Sequence, residues 1–118
     1  MSYRVEYSVS GKVLMATLSG TCPTPGFITR EISRQARENS ASCLLVDVRG
    51  LRDRAGRLQE VLASRSIPGR IAVVDGPGND RLYVFAELDA SMRGCVLRRF
   101  EDPDAALSWL WEFPASGR

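Results

Sequence analysis

Cys43-Leu44-Leu45-Val46-Asp47-Val48 and Arg70-Ile71-Ala72-Val73-Val74-Asp75 decide how this chain folds. Each is a short, nearly unbroken apolar run. A strand wetted on one face alternates apolar with polar residues, whereas a strand covered on both faces does not. The two runs therefore predict buried strands, and their separation leaves room for a helical crossover between them.

Outward toward the N-terminus, Tyr3 to Val9 alternates, with Tyr3, Val5, Tyr7 and Val9 on one face. Ser10-Gly11 is a turn signal. Lys12 to Leu18 follows as a strand with Val13, Met15 and Thr17 on one side and Leu14, Ala16 and Leu18 on the other. Apolar residues on both sides predict a central position, and the short connection predicts an antiparallel hairpin. Thr24-Pro25 then opens a helix, with Thr24 as N-cap and Pro25 at the first helical position. Phe27, Ile28, Ile32 and Ala36 form its inward stripe. Arg30, Glu31, Arg34, Arg37 and Glu38 form its wet side, and it ends near Asn39.

Outward toward the C-terminus, Leu58, Val61 and Leu62 stand at i, i+3, i+4 spacing and predict a short helix after the arginine-rich stretch. Leu82-Tyr83-Val84-Phe85 has strand propensity. However, Leu82, Phe85, Ala86 and Ala90 fit one helical face, and Arg93-Gly94 reads as a helix end, so a helix is expected from Arg81 to Met92. Cys95 to Phe100 is the last strand. Asp102 caps a closing helix with Pro103 at its first position and Ala106, Leu107, Leu110 and Trp111 as its stripe. The order ββαβαβαβα predicts a single α/β domain over residues 1–118. It is an N-terminal β-hairpin followed by βαβαβα repeats, giving a mostly parallel five-stranded sheet with helices packed on it.

Composition narrows the functions open to such a domain. The 118 residues hold 16 Lys and Arg against 14 Asp and Glu, a net charge of +2. A general nucleic-acid binder carries a far stronger basic excess. There is no histidine, which removes the commonest general base, zinc ligand and pH switch. Cys22, Cys43 and Cys95 are widely spaced and form no CxxC pair, so neither a zinc knuckle nor a redox motif is expected. Cys43 and Cys95 open apolar runs and are expected to be reduced and buried. The N-terminus lacks a hydrophobic signal region, and no apolar stretch approaches the length of a membrane span. A cytoplasmic protein without metal or cofactor is expected.

Several motifs have a chemical and a structural reading. Cys43-x5-Arg49 has the spacing of a cysteine phosphatase loop. The intervening Leu-Leu-Val-Asp-Val is a strand, however, whose amides serve the sheet and cannot cradle phosphate. Gly76-Pro77-Gly78-Asn79-Asp80 follows a strand and precedes a helix; without a Lys-Ser/Thr pair its glycines read as turn formers. Asp47 and Asp75 end neighbouring strands at the edge where α/β ligands bind, although the lysine of a receiver-type acidic pocket is absent. No catalytic constellation can be assembled.

The most distinctive stretch is Arg49-Gly50-Leu51-Arg52-Asp53-Arg54-Ala55-Gly56-Arg57. Arginines at a helix N-terminus oppose its macrodipole by roughly 0.3–1 kcal/mol each when exposed. Guanidinium forks suit carboxylate and phosphate. The stretch is either a solvated loop, with Arg49 paired to Asp47 or Asp75, or a site for an anion or acidic partner. In the second reading, Asp47, Arg49, Arg52, Asp53, Arg54 and Arg57 are the candidate binding residues. Trp109, Trp111 and Phe113 crowd the last helix over about 200° of its circumference, more than a one-sided stripe requires. Either the helix tail is deeply embedded or these aromatics meet a partner, a homodimer mate included. The strand Tyr3 to Val9 is a candidate edge, guarded only by Arg4 and Glu6.

Leu45-Val46-Asp47-Val48-Arg49, Arg70-Ile71-Ala72-Val73-Val74, Arg93-Gly94 with Val96, Phe100-Glu101-Asp102 and Ala106-Leu107-Ser108-Trp109-Leu110 together resemble the bacterial STAS-like domains. These are grouped with the anti-sigma factor antagonists and, by fold, with CRAL-TRIO lipid-binding domains. The resemblance covers nearly the whole chain and rests on structural positions. It implies a non-enzymatic protein-binding module in signalling, with an unknown protein partner. The alternative it implies is a binding domain for a small anionic or lipid-like ligand. Phospho-regulated members carry a serine in an Asp-Ser-x-Gly-like segment. The matching segment here is Asp53-Arg54-Ala55-Gly56, and Arg54 stands at the serine position.

Overall fold

A computed structural model describes residues 3–21, 27–52, 69–78, 80–92, 94 and 96–112, with the side chains of 27–29, 80 and 82 excepted. Strands β1 (Tyr3–Ser10), β2 (Val13–Gly20), β3 (Cys43–Leu51), β4 (Arg70–Val74) and β5 (Val96–Phe100) form one sheet in the order β1-β2-β3-β4-β5. Helices α1 (Phe27–Glu38), α2 (Asp80–Met92) and α3 (Pro103–Trp111) pack on it. β1 and β2 are antiparallel, and every later pairing is parallel. The predicted hairpin, the parallel sheet and the helix from residue 81 onward are all present. The predicted N-cap at Thr24 and the helix at 58–62 lie outside the described residues, as do Cys22 and Cys95.

A sequential parallel order dictates where the crossover helices go. Right-handed crossovers that always step in the same direction deposit their helices on the same face. Accordingly α1 and α2 share one face. There Leu14, Leu44, Val46, Ile71, Val73 and Leu97 of the sheet meet Ile32 and Ala36 of α1 and Tyr83 and Ala90 of α2. Helix α3 follows β5, the last strand of the sheet, and is not a crossover between two of its strands. It covers the opposite face, where Ala106 and Leu110 sit on Val13, Cys43, Leu45, Ala72 and Val74. The two-sided apolar runs of β3 and β4 are thus accounted for. Removing Leu110 beyond its Cβ from such a site costs about 2–5 kcal/mol.

Local signals stop the elements where the packing needs them stopped. Helix α1 ends at Glu38 with Ser40 in the left-handed region at φ 52°. The Ser40 amide donates to the Arg37 carbonyl and the Ala41 amide to the Ala36 carbonyl, the paired bonds of a Schellman closure. Asp102 caps α3 by accepting from the Asp104 amide at 3.2 Å, as the Asp-Pro signal predicts. No described helix is long and apolar enough to cross a membrane.

Two expectations are corrected. Phe85 does not face inward; the inward stripe of α2 is Tyr83, Ala86 and Ala90, and Phe85 stands in solvent. Leu82-Phe85-Ala86-Ala90 and Tyr83-Ala86-Ala90 are both helical faces, and only the sheet's placement chooses between them. Trp111 likewise does not join the buried stripe of α3, which consists of Ala106 and Leu110 with Leu107 and Trp109 partly covered.

Candidate functional site

The candidate binding residues begin inside a strand, not in a loop. β3 runs through Arg49 and Gly50 to Leu51, because its pairing with β2 resumes after an irregularity between Thr17 and Ser19. Gly50 makes the resumption possible. A Cβ there would stand 2.9 Å from the Leu18 carbonyl oxygen and 2.9 Å from Ser19 Cβ, closer than a side chain tolerates. Glycine at such an approach is the expected residue.

Strand alternation puts Asp47 and Arg49 on the same face, that of α3. Their side chains form a forked pair: Arg49 Nε donates to Oδ1 at 3.0 Å and a terminal guanidinium nitrogen to Oδ2 at 2.7 Å. The Arg49 backbone amide adds a third bond to Oδ1 at 3.1 Å. These bonds and the Asp47 charge push the guanidinium further above its ordinary range, with a lesser contribution from the charge of Asp102. Arg49 thus sits at the carboxyl end of the sheet beside the N-cap of α3, with its side chain about half exposed. Arg52 is also exposed, its amide donating to the Gly20 carbonyl at 2.9 Å. Asp53, Arg54 and Arg57 lie outside the described residues.

Asp75 does not join Asp47. Following Val74 in alternation, it turns to the opposite face and is fully buried. There it accepts a 2.7 Å bond from the Tyr83 hydroxyl. Arg99 stacks over the Tyr83 ring at 5.4 Å and donates to the Gly76 carbonyl at 2.9 Å. The two aspartates expected together at the ends of neighbouring strands are therefore separated by the thickness of the sheet, and each has its own partner. Among the described residues no cluster of three His, Cys, Asp or Glu is placed to hold a metal ion.

Of the aromatic candidates, Trp109 is built into the domain. Its ring lies 5.4 Å from that of Phe100, with Arg70 stacked at 4.8 Å and Arg98 at 5.9 Å. Arg70 also donates to the Trp109 carbonyl at 2.7 Å. Trp111 reaches back over the β1–β2 turn, where Lys12 stands 5.8 Å from its ring, and it keeps 46% of its surface exposed. Phe113 lies outside the described residues. Sequence reading missed the Arg70 and Arg98 stack on Trp109. The signal was parity: Arg70 shares its side of β4 with Ala72 and Val74, the residues under α3.

No family model matches the chain, and no curated protein does. Solved structures do. An anti-sigma factor antagonist from Mycobacterium paratuberculosis matches with a TM-score of 0.63 at 17% identity, over 93% of this chain and 95% of that one. An uncharacterised protein with a SpoIIAA-like fold from Shewanella loihica matches with a TM-score of 0.55 at 17% identity, over 92% and 93%. The unphosphorylated form of the anti-sigma factor antagonist SpoIIAA matches with a TM-score of 0.51 at 16% identity, over 93% and 98%. The fold is that of a STAS-like domain. Both SpoIIAA-type likenesses cover more than nine-tenths of the chain, 92% and 93%, so the resemblance read from the strand and helix-end motifs holds at the level of fold.

Proposed function

We propose that this chain is a non-enzymatic, cytoplasmic signalling module that acts by binding another protein through the carboxyl end of β3. The observation that carries the reading is the exposed pair Arg49 and Arg52 on a fold shared with anti-sigma factor antagonists. Arg49 is held by Asp47 with its side chain about half exposed, so an acidic partner gains a guanidinium already oriented. Asp53, Arg54 and Arg57 extend the same charged stretch along the chain. With arginine at the position of the phosphorylated serine, the switch in this reading is occupancy by the partner, not phosphate transfer. Self-association belongs to the same reading, since contact is the activity.

The test is native mass spectrometry of the chain gently purified from its host. A stoichiometric protein partner is the expected result, and it is lost when Arg49, Arg52, Arg54 and Arg57 are together replaced by Ala. A small anionic or lipid-like adduct in place of a protein would favour the ligand-binding alternative. A partner retained in full by the quadruple variant would remove the arginine stretch from the binding surface.

A further inference from the structure

Helix α2 has two apolar faces, and the sheet uses only one. Tyr83, Ala86 and Ala90 pack inward. Val84, Phe85, Leu88 and Met92 are 65%, 69%, 59% and 79% exposed. At 100° per residue these four fall on the side of the helix directly opposite the inward stripe, and Arg81 heads the same side. Single exposed apolar residues are ordinary, but four large ones in one contiguous stripe are not. The other large exposed apolar residues among those described, Val9, Val96 and Trp111, are scattered over three different elements.

We propose that this face is a homodimer interface, in which α2 of two copies packs antiparallel about a twofold axis. The proposal deepens the reading of the chain as a contact module by naming a surface and its occupant. The area favours a second copy. Four such side chains present roughly 500 Å² per copy, so pairing two stripes removes at most about 1,000 Å² from water, which reaches the lower bound for a specific interface. A self-complementary stripe of this kind suits an isologous twofold contact. Centring the axis between Phe85 and Leu88 stacks Phe85 of each copy on Leu88 of the partner subunit.

Charge selects the antiparallel arrangement. It brings Arg81 of one copy alongside the C-terminal half of the other helix, where Asp89 is exposed on the flank of the stripe. A parallel pair would set Asp89 beside its own copy and align the two helix dipoles unfavourably. An interface at this lower bound belongs with weak, reversible associations.

Sedimentation equilibrium of the full chain between about 1 and 200 µM tests this, because it spans the expected dissociation range. The mass rises toward twice the 13.0 kDa of the chain. Phe85→Glu and Leu88→Glu each weaken association at least about tenfold while leaving far-UV circular dichroism unchanged, since both side chains are already in solvent. Arg81→Glu weakens it too, and adding Asp89→Arg restores it. A mass of 13.0 kDa at every concentration overturns the proposal, and so does a dimer that Phe85→Glu leaves intact. A dimer broken by Trp111→Ala but not by Phe85→Glu would place the contact on α3 and overturn it as well. None of these outcomes bears on the protein partner, which is read separately through the arginine variants.

Discussion

Tyr83 donates a 2.7 Å hydrogen bond from its hydroxyl to Oδ2 of Asp75, eight residues earlier, and both residues are buried. The bond ties the second turn of α2 to the end of β4, while the Asp75 amide donates to the Phe100 carbonyl of β5 at 2.9 Å. One acidic residue therefore joins three elements at the carboxyl edge of the sheet. A buried carboxylate is costly unless hydrogen-bonded, so the phenol's partner matters more than its ring.

Tyr83→Phe should accordingly destabilise the domain by about 1–3 kcal/mol, the cost of leaving a buried acceptor short of a bond. Asp75→Asn, which keeps an acceptor for the phenol, should cost less. Urea unfolding of the two variants measures the difference. A Tyr83→Phe midpoint equal to that of the natural chain would show that the bond carries no stability.

The β1–β2 turn should prove sensitive to a single methyl group. Gly11 has φ of 59°, and a Cβ there would lie 2.5 Å from Cη2 of Trp111. Gly11→Ala meets both a left-handed strain of about 1–2 kcal/mol and a clash with the indole. Trp111 is expected to swing off the turn, seen as a red shift in fluorescence. Gly94→Ala is the control. Its φ is 85° and nothing lies within 4 Å of a Cβ, so it should lose stability with no change in fluorescence.

Alkaline stability should depend on Tyr7. Its hydroxyl is buried with no hydrogen-bond partner among the described residues. Burial first, and the Glu31 carboxylate second, push its pKa up to about 12 from 10.0. Below pH 10 both folded and unfolded chains keep the proton, and stability is unaffected. Between pH 10 and 12 the unfolded chain releases it first, so stability falls as pH rises. Because the ring is only partly buried, the loss is about 1 kcal/mol after allowance for solvent screening. Tyr7→Phe should remove that part of the alkaline loss, as measured by thermal unfolding at pH 9 and pH 11.5.

Cys43 is fully buried, its thiol 3.8 Å from the Leu110 carbonyl oxygen beneath α3. Labelling by a thiol reagent should therefore proceed only through unfolding. Its rate should rise with denaturant in step with the loss of structure. Labelling of Cys43 within the mixing time in buffer alone would contradict this.

No regulatory phosphate is expected on residues 49–66 in protein from the native host, because the proposed match of Asp53-Arg54-Ala55-Gly56 to the phospho-regulated pattern puts Arg54 at the serine position. Stoichiometric phosphate there, found by peptide mass spectrometry, would sink the occupancy-only view of the switch.

The sequence by itself determined the described elements and their kind. Unbroken apolar runs marked β3 and β4 as two-sided strands, the Ser10-Gly11 turn marked the hairpin, and Asp102-Pro103 marked the start of α3 within a residue. These are signals between near neighbours in the chain, where period, cap and turn chemistry act directly. The tertiary structure alone decided what alternation leaves open. Asp47 is paired with Val74 and Asp75 follows Val74 directly, yet their parity sends one to Arg49 beside α3 and the other to Tyr83 under α2. Helix α2 offered two apolar faces of similar strength, and only the right-handed crossover onto the shared face turned Tyr83 inward and left Phe85 in water. The closing helix, bound by no crossover, took the opposite side and carried Trp111 to Gly11. Such choices depend on residues far apart in sequence, and no local pattern encodes them.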